Sequence, residues 1–413
     1  MRVCIISAGY FPVPAVKGGA VENIIENIIN ENELYNKLDL SVLSCYDKQA
    51  KIKSDNYLNT EIMFVKIPHI IKMVDKLIFV FNKKVIRKKK VFSYRFIIQR
   101  LWYIKRVSDI ISKGNYDRLV FENHPSLLLS LKFHRNFKRY SNKYIYHIHN
   151  SVKSYYGCEK YMKECSLFLG VSNFINKDVC FFMGLKYSDG KFKKLANRID
   201  EKYFLNNQQN FDKREIYSKL DIPFNSKIVL FTGRISTEKG VLELIKAFNN
   251  IIINDIYLVI VGSSFFGSDV KSKFMEELKE IAIINKEYIR FTGYIEYTQM
   301  YKFYSIATIV VLPSIWEDPA PLTVIETIIS KKPLITTDSG GIPEYANSGC
   351  AIVLERNESI VEKLTDSINS LLSDKERCEQ MTKFAESISD SWTIKGYYDD
   401  FVSLVEGDSK NEN

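Results

Sequence analysis

Two positive side chains share one short glycine-bounded loop, Gly233-Arg234-Ile235-Ser236-Thr237-Glu238-Lys239-Gly240, between an apolar run and a helical pattern that begins near Val241. Glycines let a backbone approach a ligand closely, a helix start offers unpaired N–H groups, and Arg234 and Lys239 converge as fixed cations where a diphosphate would lie. The loop lacks the Gly-Lys-Ser/Thr ending of a Walker loop, and no Gly-x-Gly-x-x-Gly dinucleotide fingerprint occurs in the chain. A second group follows in Pro313-Ser314-Ile315-Trp316-Glu317-Asp318-Pro319-Ala320-Pro321-Leu322-Thr323-Val324-Ile325-Glu326, where a strand ends, a loop carries acids, and Glu326 lies eight positions after Asp318 on the next helix. A carboxylate accepts hydrogen bonds from two neighbouring hydroxyls, so Asp318 suits a sugar and Glu326 a ribose, with the N–H groups of Leu322 and Thr323 adding to a phosphate site. Taken singly, the loop also fits a solvated charged turn, and the two acids a helix cap and a surface group.

Such residues need a scaffold that brings strand-to-helix loops together. Short runs rich in Ile and Val predict strands at Val3 to Ser7, Leu40 to Leu43, Ile62 to Ile67, Leu119 to Glu122, Tyr144 to Ile148 and Leu167 to Val171, with a helix at Ala20 to Ile29. The pattern restarts with a helix from Asp212 to Leu220, a strand from Ile228 to Phe231, a helix from Val241 to Phe248, and strands at Leu258 to Val261, Ile289 to Thr292, Ile309 to Leu312 and Leu334 to Thr337. Continuous rather than alternating hydrophobicity indicates parallel sheets covered on both faces. The expected fold class is α/β, with two facing doubly wound domains: residues 1–200, joined by the C-terminal helix 391–408, and residues 201–390. The polar run Asn206-Asn207-Gln208-Gln209-Asn210 marks the boundary. Open parallel sheets bind ligands at the carboxyl ends of their strands, which directs the site to a cleft between the domains.

Bulk properties narrow the setting. The 413 residues, 46% hydrophobic and 26% charged, suit two globular domains, and no window holds the roughly 18 apolar residues of a membrane span. The opening Met1 to Ser7 reads as a buried strand, not a signal peptide. Seven cysteines without a Cys-x-x-Cys pair fit a reducing, cytoplasmic compartment. Of the net charge of +9, residues 1–200 contribute +18 and residues 201–413 contribute −9, so the first half suits an anionic partner. Lys83 to Arg106 holds ten Lys or Arg and no acid, interleaved with Phe92, Phe96, Leu101 and Ile104 at roughly helical spacing. This stretch can rest on an anionic membrane leaflet, at the inner face of the cytoplasmic membrane, or serve as a solvated face. Nucleic acid is not expected, because it would explain neither the acidic second half nor the diphosphate loop.

These segments together resemble the retaining GT-B glycosyltransferases of family 4. The likeness runs through Gly18-Gly19 after the first strand, His149, Val171-Ser172, Asn197-Arg198-Ile199-Asp200 with Phe204, the Gly233 to Gly240 loop, Gly293-Tyr294, the Asp318 and Glu326 pair, and Gly340-Gly341-Ile342-Pro343-Glu344. The loop Pro12-Val13-Pro14 through Gly19, and Gly262-Ser263 with Phe266-Gly267, look like the spore-coat-associated members. The resemblance implies a nucleotide-diphosphate sugar, a UDP-sugar first, whose diphosphate is bound by Arg234 and Lys239. It places sugar hydroxyls at Asp318, the ribose at Glu326, the base near Tyr294 and Ile295, the Gly18-Gly19 backbone near the phosphate, and His149 close to the transferred sugar. It implies a glycan or lipid-linked acceptor in surface polysaccharide or coat biosynthesis, and no divalent metal or other cofactor, in agreement with the absence of an Asp-x-Asp motif.

Three positions depart from the pattern. The first acid of the family's pair is usually Glu, so either Glu317 or Asp318 could face the sugar. Pro321 and Arg198 stand where the family commonly has Gly, and Pro321 removes one N–H donor. His147 lies on the same face of its strand as His149 and ranks behind it, while Trp316 and Trp392 read as packing aromatics. A histidine at a strand end is also commonly a hydrogen-bonded structural group. The competing functions are a nucleotide-sugar epimerase or phosphorylase of the same fold, and a non-catalytic coat or scaffold protein.

Overall fold

A computed structural model describes residues 1–85, 96–188, 190–205, 211–251, 255–263, 273–346 and 348–407. The apolar runs form strands because Ile, Val, Leu and Phe fill both faces of a sheet that helices cover on each side. In the first unit, Met1–Ala196 with Tyr397–Asn413, β1 (Arg2–Ile6), β2 (Asp39–Cys45), β3 (Thr60–Val65), β4 (Arg118–Glu122), β5 (Tyr144–Ile148), β6 (Leu167–Gly170) and β7 (Phe192–Lys194) make a parallel sheet in the order β3-β2-β1-β4-β5-β6-β7. In the second, Asn197–Gly396, β8 (Lys227–Thr232), β9 (Ile256–Val261), β10 (Ile289–Gly293), β11 (Ile309–Leu312), β12 (Leu334–Thr337) and β13 (Ala351–Leu354) follow the order β10-β9-β8-β11-β12-β13. Every strand pairing is parallel, so each sheet is doubly wound, with its order reversing between β1 and β4 and between β8 and β11.

The units divide at 196/197 and 396/397, where the sequence suggested 200/201 and 390/391. Arg198 and Ile199 therefore go with the second unit, where Ile199 bridges to Thr393. The last helix, Ile394–Glu406, enters the first unit at Tyr397. Tyr397, Tyr398, Phe401, Val402 and Val405 are buried there with Ile25, Ile28 and Ile29 of the helix Ala20–Tyr35. The Tyr398 hydroxyl donates to Asn32 Oδ1 at 2.6 Å and accepts the Lys37 N–H at 3.3 Å, and Arg118 Nε donates to the Val405 carbonyl at 3.0 Å.

Several elements differ from the sequence reading. The first helix runs to Tyr35 instead of Ile29, and β7 and β13 were not anticipated. The basic stretch 83–106 covers the end of His69–Val85 and the start of Ile97–Lys113, and residues 86–95, including Lys88, Lys89, Lys90 and Phe92, lie outside the described residues. Phe266-Gly267 and the run 206–210 also lie outside them. All seven cysteines are free, and among the described residues no helix is long and apolar enough to cross a membrane.

Truncating Phe401, wholly buried in the first unit, leaves a cavity that the fixed sheet cannot close. Urea unfolding of Phe401→Ala should show a loss of about 3–5 kcal/mol, and a loss under about 1 kcal/mol would remove the helix from the core.

Candidate active site

In the second unit, the loops that follow β8 and β11 meet at the reversal point of the sheet. The Ile315 N–H donates to the Glu238 carbonyl at 3.0 Å, and Ser314 Oγ donates to the same oxygen at 3.3 Å. Gly240 takes the left-handed φ of 69°, and a Cβ built there would stand 1.8 Å from the Pro313 carbonyl oxygen. Only glycine allows that approach. The seam sets Lys239 beside Asp318, and their side chains form an ion pair, Nζ to Oδ2, with both groups largely withdrawn from solvent. Arg234, on the same loop, keeps a 54% exposed side chain and only a distant contact with Glu238, 4.0 Å. One cation is thus fixed and the other faces outward.

The adjacent acids turn to different partners. Glu317 Oε2 accepts the Gly340 N–H at 2.7 Å and Oε1 pairs with Arg356, whose Nη1 donates to the Ile315 carbonyl at 2.7 Å. Gly340, with φ 60°, lies so close to this loop that a Cβ would stand 2.5 Å from the Asp318 carbonyl oxygen, which itself accepts the Gly341 N–H at 2.8 Å. Of the two, it is Asp318 whose carboxylate joins Lys239. Trp316, expected as a packing aromatic, is 43% exposed, whereas Trp392 stacks on Tyr345 with centroids 5.4 Å apart.

Glu326 lies on the helix Leu322–Ile329, which Leu322 and Thr323 open after a Pro321 N-cap that makes no side-chain hydrogen bond. Its carboxylate is buried and accepts the Tyr304 hydroxyl at 2.9 Å, while that hydroxyl also meets Thr232 Oγ1 at 2.8 Å. Phe204 packs edge-on against Tyr304 and Tyr297, at 5.7 and 5.8 Å. Burial pushes the Glu326 carboxyl up to about 7, against the lowering effect of the hydrogen bonds from Tyr304 and Tyr297. Tyr294, exposed, and Ile295, half-buried, follow β10. Asn197 donates its N–H to the Tyr345 hydroxyl at 3.0 Å and its Nδ2 to the Ala320 carbonyl at 3.5 Å, tying the start of this unit to the acid-bearing loop.

In the first unit, Gly18 and Gly19 end the loop after β1 and lead into the helix Ala20–Tyr35, and His149 is the first residue after β5. His149 Nε2 lies 2.9 Å from Glu122 Oε2, and His147 Nδ1 lies 3.2 Å from Glu122 Oε1. The two imidazole rings are 4.1 Å apart, because alternate residues of β5 share a face. Burial, reinforced by His147, pushes His149 down to about 4, so it is neutral at physiological pH. Burial alone would raise the Glu122 carboxyl; the charge and hydrogen bond of His147, with the hydrogen bond of His149, hold it well below the usual range. These three residues are the group among the described residues whose ligand atoms, all within 4.8 Å of one another, could surround a metal ion. At 2.9–3.2 Å they already satisfy one another as hydrogen-bonding partners, and only His147 Nε2 remains buried without a partner.

Sequence reasoning missed Glu122, Arg356, Tyr304 and Thr232. Glu122 left one signal: it is the single charge closing an apolar strand, at the same end of the sheet as His149.

Residues 212–388 match the family described as Glycosyl transferases group 1. Spore coat protein SA of Bacillus subtilis (strain 168) is 23% identical over 403 residues that span 95% of each chain. Lipopolysaccharide 1,2-N-acetylglucosaminetransferase of Salmonella typhimurium is 29% identical over 195 residues, covering 46% of this chain and 49% of that one. Among solved structures, Anabaena Alr3699/HepE in complex with UDP superposes with a TM-score of 0.70 at 15% identity, over 98% of this chain and 100% of that one.

Two outcomes follow from the geometry. Gly240→Ala must move the Pro313 backbone or abandon φ 69°, and chemical denaturation should find it destabilised by about 2 kcal/mol or more. For Glu326, a folded pKa raised above the ordinary 4.5 gives stability that is complete below that value and lost as pH rises through about 7. Glu326→Gln cannot ionise, so its stability relative to wild type should rise by up to about 3 kcal/mol from about pH 5 to about pH 8. A difference that stays constant with pH would contradict the shift.

Proposed function

We propose that this chain, whose residues 212–388 match the group 1 glycosyl transferases and whose fold is that of the GT-B structures, moves a sugar from a UDP-sugar to a hydroxyl of a glycan or lipid-linked acceptor, with retention, in surface polysaccharide or coat biosynthesis. The observation that carries this reading is the seam between the β8 and β11 loops, which holds Lys239 against Asp318 beside the outward-facing Arg234. UDP is favoured as the nucleotide because the Anabaena structure holds UDP.

As the glycosidic bond to the diphosphate breaks, negative charge grows on the leaving group and positive character on the anomeric carbon. Arg234 and Lys239 stabilise the first without a metal ion. When the diphosphate arrives, its oxygens compete with Asp318 for Lys239, which frees the Asp318 carboxylate to accept hydrogen bonds from sugar hydroxyls. Glu326 takes the ribose hydroxyls, the N–H groups of Leu322 and Thr323 take phosphate oxygens, and the base rests near Tyr294 and Ile295. In the first unit the Gly18-Gly19 backbone meets phosphate, and the neutral His149, held by Glu122, hydrogen-bonds the transferred sugar. Same-face attack lets the departing phosphate accept the proton of the incoming hydroxyl. The setting is cytoplasmic, with the basic stretch 83–106 resting on anionic lipid at the inner face of the membrane.

The test begins with a screen of UDP-, GDP- and ADP-sugars for thermal stabilisation, followed by product analysis with the radiolabelled donor. Transfer should persist in EDTA, and Arg234→Ala or Lys239→Ala should lower kcat by about 10² to 10³. An isomerised donor without transfer would replace this reading with an epimerase.

A further inference from the structure

The helix His69–Val85 is apolar on two sides, and only one of them meets the protein. On the inner side Ile71 and Ile78 are half-buried and Asp75 is wholly buried. The Asp75 carboxylate accepts the N–H groups of Ile98 and Gln99, each at 2.9 Å, which satisfies two orphan donors at the start of the helix Ile97–Lys113. On the outer side, Ile70, Met73, Val74 and Leu77 are 74%, 56%, 39% and 67% exposed. Their spacing of three, one and three residues aligns them in one stripe along two turns of helix. Leu101, in the following helix, is 51% exposed as well. Single exposed apolar residues are ordinary, but an aligned stripe of long aliphatic side chains marks a surface that another phase or molecule covers.

The charges around the stripe choose the occupant. Lys72 and Lys76 are exposed on its flank, and the one acid of the helix, Asp75, is withdrawn into the protein as a cap. The sequence then continues with ten Lys or Arg and no acid from Lys83 to Arg106. An apolar centre with cationic edges matches the acyl boundary and headgroups of an anionic leaflet, where lysine stems lie along the apolar region and their ammonium groups reach phosphate. A second copy of the same face would bring like charges together.

We propose that the outer face of the helix His69–Val85 inserts into the surface of an anionic membrane, with Ile70, Met73 and Leu77 as its apolar anchors and Lys72 and Lys76 on the headgroups. This deepens the membrane contact proposed above and rests on that reading for the presence of anionic lipid; it adds a hydrophobic component that salt cannot screen.

The experiment is sedimentation of the full chain with vesicles of phosphatidylcholine mixed with phosphatidylglycerol, and with vesicles of phosphatidylcholine alone. The wild type should bind the anionic vesicles and retain part of that binding in high salt. Ile70→Glu/Leu77→Glu should bind at least about ten-fold more weakly and keep nothing in high salt, with its urea midpoint and its thermal response to UDP unchanged. If the double variant binds like wild type while Lys88→Gln/Lys89→Gln/Lys90→Gln does not bind, the electrostatic contact stands and the inserted helix falls. Equal binding to phosphatidylcholine alone overturns the anionic choice, and a wild type that sediments with neither vesicle removes both readings. A wild-type dimer in light scattering that the double variant dissolves, without a change in vesicle binding, gives the face to a second copy and overturns the proposal.

Discussion

The hydrogen bond from the Ile315 N–H to the Glu238 carbonyl, closed over a residue with no side chain at Gly240, sets everything else in the geometry of the second unit's candidate site. It joins two loops that are far apart in sequence and fixes the separation of their backbones to a contact distance. Lys239 and Asp318, 79 residues apart, then meet without depending on long side chains to search for one another. Charge stabilisation is effective when the groups are already in place before the reaction demands them. The Glu317 pairing with Arg356 and the Gly340 N–H does the same for the far side of the acid loop.

Two buried carboxylates show how environment decides ionisation. Glu326, ringed by Tyr304, Tyr297 and Phe204, receives neutral hydroxyl donors and no cation, so burial dominates and its pKa rises. Glu122 is buried to the same degree, but two imidazoles donate to it and its pKa falls. The first can change charge near neutrality; the second is a permanent anion that keeps His149 oriented, while burial keeps that imidazole uncharged against the pull of the anion.

Most of both sheets was readable because strands covered on both faces are rich in Ile, Val, Leu and Phe, as in β8 and β11. The edges were not. β7 is Phe-Lys-Lys with both lysines exposed, and β13 is only partly buried, so neither carries the hydrophobic signature of an inner strand. The run Asn30-Glu31-Asn32-Glu33 in the helix Ala20–Tyr35 is polar, but Asn32 is locked by Leu38, Thr60 and Tyr398, contacts invisible to local periodicity. Arg234, Lys239, Asp318 and Glu326 could be singled out as candidates because each occupies a marked place relative to a strand end. Arg356 could not, since its link to Glu317 crosses 39 residues and depends on where β13 delivers it. Glu317 and Asp318 could not be told apart for the same reason: both side chains are acids on one loop, and only their distant partners, Arg356 and Lys239, separate them.

The helix Ile394–Glu406 has a further meaning for how the protein is made. The second unit is an insertion in the sequence of the first, whose core contains Tyr397, Tyr398, Phe401 and Val405. As the ribosome works from the amino end, the first sheet emerges early yet lacks one wall of its interior until the helix Ile394–Glu406 is translated. The inserted unit has all its strands out of the exit tunnel before then and can close first. The order of completion is therefore the reverse of the order of emergence, and the nascent first unit keeps the apolar surface of Ile25, Ile28 and Ile29 waiting for this helix while the whole second unit is made.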